Sequence, residues 1–316
     1  MDQTRAPAPA PDSSRLVPHG SEEQGAPAAA GIMCDDVLRK GGGGPAAGGR
    51  QSSQSQSSDN NEGGAEGEEE NFYWRFTDVG HVGERSRDGS IHATDEVFNS
   101  VSHLSAFFVS VLGTVLLITK SAAQHAPWKI VSFSIYGSSL CFLFAASTLH
   151  HAVTTTPKLE LFFQTLDYLA IFPLIAGTFT PLCLVFLHSS VIGWSFFSVV
   201  WTLAIISMCI VAHLFEKTPK WMTTTAYVSL GWIGAILGLY LYPSYLDAGG
   251  MSLLILGGVI YSVGGVVFIT EKPNPIPSVF GFHELWHCAV IAAAFVHYLL
   301  MYFYVLPYPQ PTLYDN

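Results

Sequence analysis

The sequence predicts an all-α integral membrane protein: a seven-transmembrane-helix bundle, N-terminus cytosolic and C-terminus outside, behind a disordered N-terminal tail. Three observations carry this. Only 12% of the 316 residues are charged and 49% are hydrophobic, with a mean hydropathy of +0.35, whereas soluble domains are about a quarter charged. The charges are unevenly placed: 15 acidic and 8 basic residues lie within the first 90 positions, leaving 9 acidic and 6 basic for the other 226. So few charges cannot cover a water-facing surface. Thirdly, the uncharged stretches after position 96 are each long enough to cross a bilayer.

These counts argue against a soluble enzyme, a nucleic-acid binder and a secreted disulfide scaffold. The net charge of −10 divides into −7 in the first 90 residues and −3 beyond, so a basic footprint for nucleic acid or anionic lipid is absent. Cys141, Cys183, Cys209 and Cys288 sit in apolar runs and read as small core hydrophobes, with Cys34 alone in the tail. The polar start Met1-Asp-Gln-Thr-Arg5 has no apolar h-region after it, so the first membrane helix is expected to direct targeting.

In chain order, residues 1–70 form a low-complexity acidic tail. It has an Ala-Pro repeat, four consecutive glycines at 41–44, a Gln/Ser tract at 51–58 and the acidic run Glu66-Gly-Glu-Glu-Glu70. Such a composition cannot bury enough apolar area to offset chain entropy and is expected to be disordered. Residues 71–96 are juxtamembrane. Their aromatic start, Asn71-Phe-Tyr-Trp-Arg-Phe76, has two readings: headgroup-level anchoring, or packing on the membrane domain.

The membrane domain spans 97–306, and its helices follow from the gaps between charges. There are 23 uncharged residues between Glu96 and Lys120, 28 between Lys129 and Lys158, and 48 between Asp167 and Glu216. The last is two spans joined near His188-Ser-Ser190. Then come 26 between Lys220 and Asp247, 23 between Asp247 and Glu271, and 30 between Glu284 and Asp315. A helix needs about 20 residues at about 1.5 Å each to cross a hydrocarbon core of about 30 Å. The expected helices are 98–120, 129–154, 161–187, 191–213, 222–243, 251–271 and 282–306, with a short tail at 307–316. Barrel strands of about 10 alternating residues do not fit runs of this length.

Lysine and arginine near the helix ends set the orientation. Arg85, Arg87, Lys158, Lys217, Lys220 and Lys272 fall on the N-terminal side, against Lys120 and Lys129 opposite. The N-terminal side is therefore expected in the cytosol.

Ionisable groups inside a span are costly and mark function by default. Four stand out: His151 near the end of helix 2, Asp167 in the first turns of helix 3, and His283 and His287 opening helix 7. The alternating topology places all four at one depth. His283 and His287 are spaced i, i+4, so both imidazoles leave one helix face, as a metal pair requires. Ser147 and His151 share that spacing. Three neutral imidazoles with an open position for water make a catalytic type of zinc site, in which Asp167 could hold the water and take its proton. The competing reading is helix–helix hydrogen bonding or snorkelling to the interface.

His283-Glu-Leu-Trp-His287 also matches H-E-x-x-H, where the glutamate of a zinc protease is the general base. Membrane proteases of the site-2 type take an aspartate ligand from a later helix, and nothing acidic follows Glu284 before Asp315. The third ligand must then come from upstream, where His151 provides it.

Asn99-Ser-Val-Ser-His103, Ser147-Thr-Leu-His-His151, Leu166-Asp-Tyr168, Ala176-Gly-Thr-Phe-Thr-Pro181 and His283-Glu-Leu-Trp-His287 occur in this order. Together they resemble the haemolysin III proteins and the progestin and adipoQ receptors (PAQR), over about residues 91–306, closer to the haemolysin III branch. The resemblance implies a seven-helix bundle with zinc near the cytoplasmic face. It implies His151, His283 and His287 as ligands, with Asp167 and Ser147 contacting or orienting the bound water. His150 stands where the family usually has an aromatic. Either neighbour could be the ligand, and the Ser-x-x-x-His spacing favours His151. Receptor-branch members often carry Gln at the place of Glu284, which implies that this glutamate is not essential to the site. The wider superfamily includes the alkaline ceramidases, and this implies zinc-dependent hydrolysis of a lipid amide, with a membrane lipid as substrate. The alternatives are a seven-helix receptor or membrane-integrity protein, lipid then being its ligand and zinc structural, and the intramembrane metalloprotease. A pore-forming haemolysin finds no repeated polar stripe to line a channel, and a rhodopsin-type receptor has the opposite topology.

Other polar positions have packing readings. His103 is a family position or a helix-packing hydrogen bond. His297 lies about 15 Å deeper than His287 and about 80° round the helix, so it reads as a polar contact in the bundle. Thr178 and Thr180 are expected to satisfy carbonyls freed by a kink at Pro181. Gly234, Gly238, Gly257, Gly258, Gly264 and Gly265 are expected at close helix contacts, a possible homodimer face among them. Trp128, Trp221 and Tyr242 fit interfacial belts.

Overall fold

The computed structural model describes residues 73–74, 96–276 and 279–310. The expectations for the acidic tail, Cys34, Arg85 and Arg87 lie outside the described residues. Among the described residues seven helices are long and apolar enough to cross a membrane: α1 Glu96–Ala123, α2 Pro127–Ala152, α3 Pro157–Phe186, α4 Val191–Leu214, α5 Lys220–Leu241, α6 Ala248–Thr270 and α7 Phe282–Leu300, which runs into a π-helical turn at Met301–Val305. The protein is a multi-pass integral membrane protein. Each helix is the one expected from the charge gaps, with ends shifted by no more than four residues when the π-helical turn is counted with α7. The largest shift is at the start of α3, where Pro157 opens the helix.

Consecutive helices pack against each other, and α7 returns to α1, so the bundle closes into a ring with α3 also leaning on α5. The outside of the ring is apolar: Phe108, Val109, Leu112 and Val115 on α1, and Val199, Ile205 and Ile206 on α4, are all exposed. In water such a surface would be a large unpaired patch; in lipid it is the solvated face. α3 is the enclosed element. Every residue from Ala176 to Phe186 is buried, as expected of a helix that is apolar all round.

Backbone polarity is handled within the helices. Ser100, Thr114, Ser121, Thr148 and Thr178 each donate their hydroxyl to the carbonyl four residues earlier, the usual recourse where water is absent. The expectation at Pro181 is corrected here. Its missing N–H frees the carbonyl of residue 177, whereas Thr178 and Thr180 donate to Leu174 and Ala176. α3 also contains Pro173, which the sequence reading passed over. The cysteines need correcting too. Cys183 is buried, Cys141 and Cys288 are half-buried, and Cys209 is exposed on the ring's outer face.

Two glycines of α5 and α6 show why a side chain is excluded. A Cβ on Gly234 would lie 1.9 Å from the Phe179 ring, and one on Gly257 would lie 2.2 Å from His297 Nε2. Gly258 differs from its expectation, since a Cβ there meets nothing within 4 Å.

The end of the bundle remote from the histidines is tied by the C-terminal segment. Lys129, read from sequence as a charge at a helix end, is buried and donates to the Leu306 carbonyl and to Gln124 Oε1, each at 2.6 Å. Gln310 donates to the carbonyls of Leu184 and Val185 at the end of α3. At the opposite end Tyr73–Trp74 pair antiparallel with Val153–Thr154, directly after α2. At these two residues the segment is therefore joined to the membrane domain by backbone pairing.

Candidate metal centre

Four helix ends build the site: the start of α1, the end of α2, and the starts of α3 and α7. α7 begins at Gly281, and its first orphan amides are satisfied from two directions. Glu284, three residues in, accepts from Gly281 N–H at 2.7 Å, and Asn274 Oδ1 accepts from Phe282 N–H at 2.9 Å. This is one half of a capping box, with Asn274 supplying what a glycine cap cannot. The start of α7 is thereby fixed, and with it the direction of His283 and His287.

Those two rings lie 4.9 Å apart and face His151 from α2 at 5.1 and 4.8 Å between centroids. All three are buried. One nitrogen from each lies within 4.8 Å of the others, so the three could hold a metal ion. His283 Nε2 lies 3.4 Å from His151 Nε2. Two nitrogens bound at about 2.1 Å in a tetrahedron would be about 3.4 Å apart. The donor set and this one spacing therefore fit a bound metal ion. His150, His151 and Asp167 form a second group within the same limit. His151 belongs to both groups, whereas His150 meets the α7 pair in neither.

Ser147 and Asp167 line the same small pocket as His283 and His287, the serine hydroxyl facing the aspartate carboxyl. Ser147, Asp167, His283 and His287 thus border one space, with His151 packed against the two histidines of α7. Glu284 is fully buried but turned elsewhere: beside its cap on Gly281, its Oε1 accepts from Asn99 Nδ2 at 3.3 Å. The central glutamate of H-E-x-x-H braces a helix start.

The structure adds one residue that sequence reasoning missed. Glu96 Oε2 lies 2.6 Å from His151 Nδ1, both side chains being buried. Its only signal in the sequence was a carboxylate at the very edge of an apolar run. His103 stacks on His287 at 3.9 Å and 28° and lines the pocket, and among the described residues neither of its nitrogens has a partner in hydrogen-bonding geometry. His297 lies apart from the cluster, its Nε2 at 3.2 Å from the Leu254 carbonyl, in keeping with a bundle contact.

The pocket does not end at the histidines. It shares Leu143, Ile171, Thr224, Tyr227, Trp286 and Val290 with a larger, almost wholly apolar cavity between α3, α5, α6 and α7. Trp232 of α5 and Ile255 of α6 line this cavity and are themselves exposed on the ring's outer face.

The profile of the family described as haemolysin-III related matches residues 91–298, the stretch that holds every element of this site. The chain belongs to the haemolysin III/PAQR family. Among haemolysin III relatives, Hemolysin-3 of Bacillus cereus is 34% identical over 67% of this chain and 93% of its own length. The Hemolysin-3 homolog of Bacillus subtilis (strain 168) is 34% identical over 68% and 96%. The monocyte to macrophage differentiation factor of Homo sapiens is 26% identical over 68% and 85%.

Proposed function

We propose that this haemolysin III protein is a zinc-dependent intramembrane hydrolase acting on a lipid amide. The observation that carries the reading is that the buried histidine pocket adjoins, through six shared lining residues, an apolar cavity bordered by the lipid-exposed Trp232 and Ile255. A lipid tail would enter between α5 and α6 and lie along the cavity, which sets its amide beside the polar groups at the cavity's inner end. His151, His283 and His287 would hold the ion. Zinc, when bound, supplies a Lewis acid that polarises a carbonyl and eases deprotonation of water.

The chain's own groups account for the rest. Asp167 accepts the proton of the attacking water and returns one to the departing amine. Ser147, facing it, keeps the carboxyl turned to the pocket. The apolar walls exclude bulk water and strengthen each of these interactions. The histidine end faces the cytosol in this reading, because Lys158, Lys217, Lys220 and Lys272 gather there.

The test is zinc content and lipid-amide hydrolysis on detergent-purified chain, with His283→Ala beside it. One zinc per chain and measurable turnover, both lost in the variant, support the reading. Zinc without turnover on any lipid amide removes the hydrolase and leaves the ion. A second reading, a structural ion in a receptor, has one observation behind it. His150 and Asp167 form with His151 a second group of protein ligands able to hold an ion, and structural zinc is held by protein ligands alone.

A further inference from the structure

α1 is the most lipid-exposed helix beside α4, yet the first two turns bury Glu96, Asn99, Ser100 and His103. A helix needed only for packing would bury apolar residues there. Glu96, Asn99 and His103 stand at i, i+3 and i+7, on one face; Glu96 and His103 meet the rings of His151 and His287, whereas Asn99 reaches Glu284, outside the ligand set. Of the three, Glu96 is bonded to a nitrogen of a ligand ring.

An ionised carboxylate can only accept hydrogen bonds. With Glu96 ionised and the ring neutral, the 2.6 Å contact puts the proton of His151 on Nδ1 and leaves Nε2 with its lone pair. Nε2 is also the atom that lies 3.4 Å from His283 Nε2. We propose that Glu96 is a positioning residue of the metal centre, holding His151 in the tautomer and ring orientation that turn Nε2 towards the ion. A carboxylate behind a ligand histidine also raises its basicity, and loss of such a partner costs about 10–100-fold in metal affinity. The inference rests on the reading of the histidine cluster as a metal centre. It adds a residue from the first helix to a site whose ligands come from the second and the last.

The experiment uses the full chain in detergent: wild type, Glu96→Gln, Glu96→Asp and Asn99→Ala. Zinc affinity is measured by competition with a chelator, the d–d absorption of the cobalt(II)-loaded form is recorded, and metal-free melting temperatures serve as the control for folding. Glu96→Gln is expected to weaken zinc by about 10–100-fold and to change the cobalt spectrum, while saturating at the wild-type stoichiometry. Glu96→Asp should recover part of the affinity. Asn99→Ala removes a buried bond from the same face without touching a ligand ring, and is expected to bind as wild type does whatever its melting temperature. If Glu96→Gln does not fold, an affinity loss in Glu96→Asp relative to Asn99→Ala carries the same test. Wild-type affinity and spectrum in the Glu96 variants, or equal losses in Asn99→Ala, overturn the positioning role alone. A wild-type chain that binds neither metal overturns the metal centre along with it.

Discussion

Asn99 Nδ2 donates to Glu284 Oε1 at 3.3 Å, joining the first transmembrane helix to the last across 185 residues of chain. The same glutamate closes the start of α7 through Gly281, so its two oxygens serve helix placement. Glu284→Gln is accordingly expected to keep one zinc per chain and its hydrolytic activity while losing about 1–2 kcal/mol of stability, since a neutral acceptor replaces a charged one. Metal analysis and melting of the purified variant check this. A stable, zinc-loaded but inert variant would restore the protease-type role of that glutamate.

For the ligands, His151→Ala and His283→Ala should each lower zinc from one per chain towards none, because two imidazoles leave the tetrahedron open. His150→Ala should retain the metal. Loss of zinc in His150→Ala but not in His151→Ala would reassign the α2 ligand.

Asp167→Asn keeps the shape of the pocket and removes the base. Zinc should remain at wild-type content, and lipid-amide turnover should fall by about 10²–10⁴-fold. Unchanged turnover would take Asp167 out of the reaction.

Two adjacent glycines of α6 separate the cavity from the packing. Gly258 borders open space in the cavity, so Gly258→Leu should fold and hold zinc while lowering turnover of long-chain amides by about tenfold or more, on the order of 1–3 kcal/mol of obstructed binding. Gly257→Ala should lose about 1–3 kcal/mol of stability, because its Cβ would strike His297. If Gly258→Leu left long-chain turnover untouched, the lipid tail would have to lie elsewhere.

The seven helices were legible in the sequence because a bilayer tolerates so few interruptions that the spacing of charges reproduces the helix ends to within a few residues. The grouping of His151, Asp167, His283 and His287 was legible for a related reason: alternating topology fixes depth, and depth together with i, i+4 spacing leaves few arrangements. Glu96 was not legible. A charge at the edge of an apolar run looks the same whether it points into water or back into the bundle, and only its approach to His151 distinguishes the two. Lys129 concealed its burial in the same way. The cavity was equally hidden, since it depends on where α5 and α6 part, and the glycines there read as contacts although Gly258 faces open space.

The ring of helices closes between its first and last members, and this sets an order on biosynthesis. A chain emerging from the ribosome presents Asn99 and His103 long before Glu284 and His287 exist. Until α7 is made, the first helix holds an amide and an imidazole on a face that has nothing polar to meet from the last span. α1 can pack on α2 as soon as that helix is made, and Glu96 then meets His151. A chain ending before position 282 would lack the partners that Asn99 and His103 find on α7, and that face of α1 would stay unfilled.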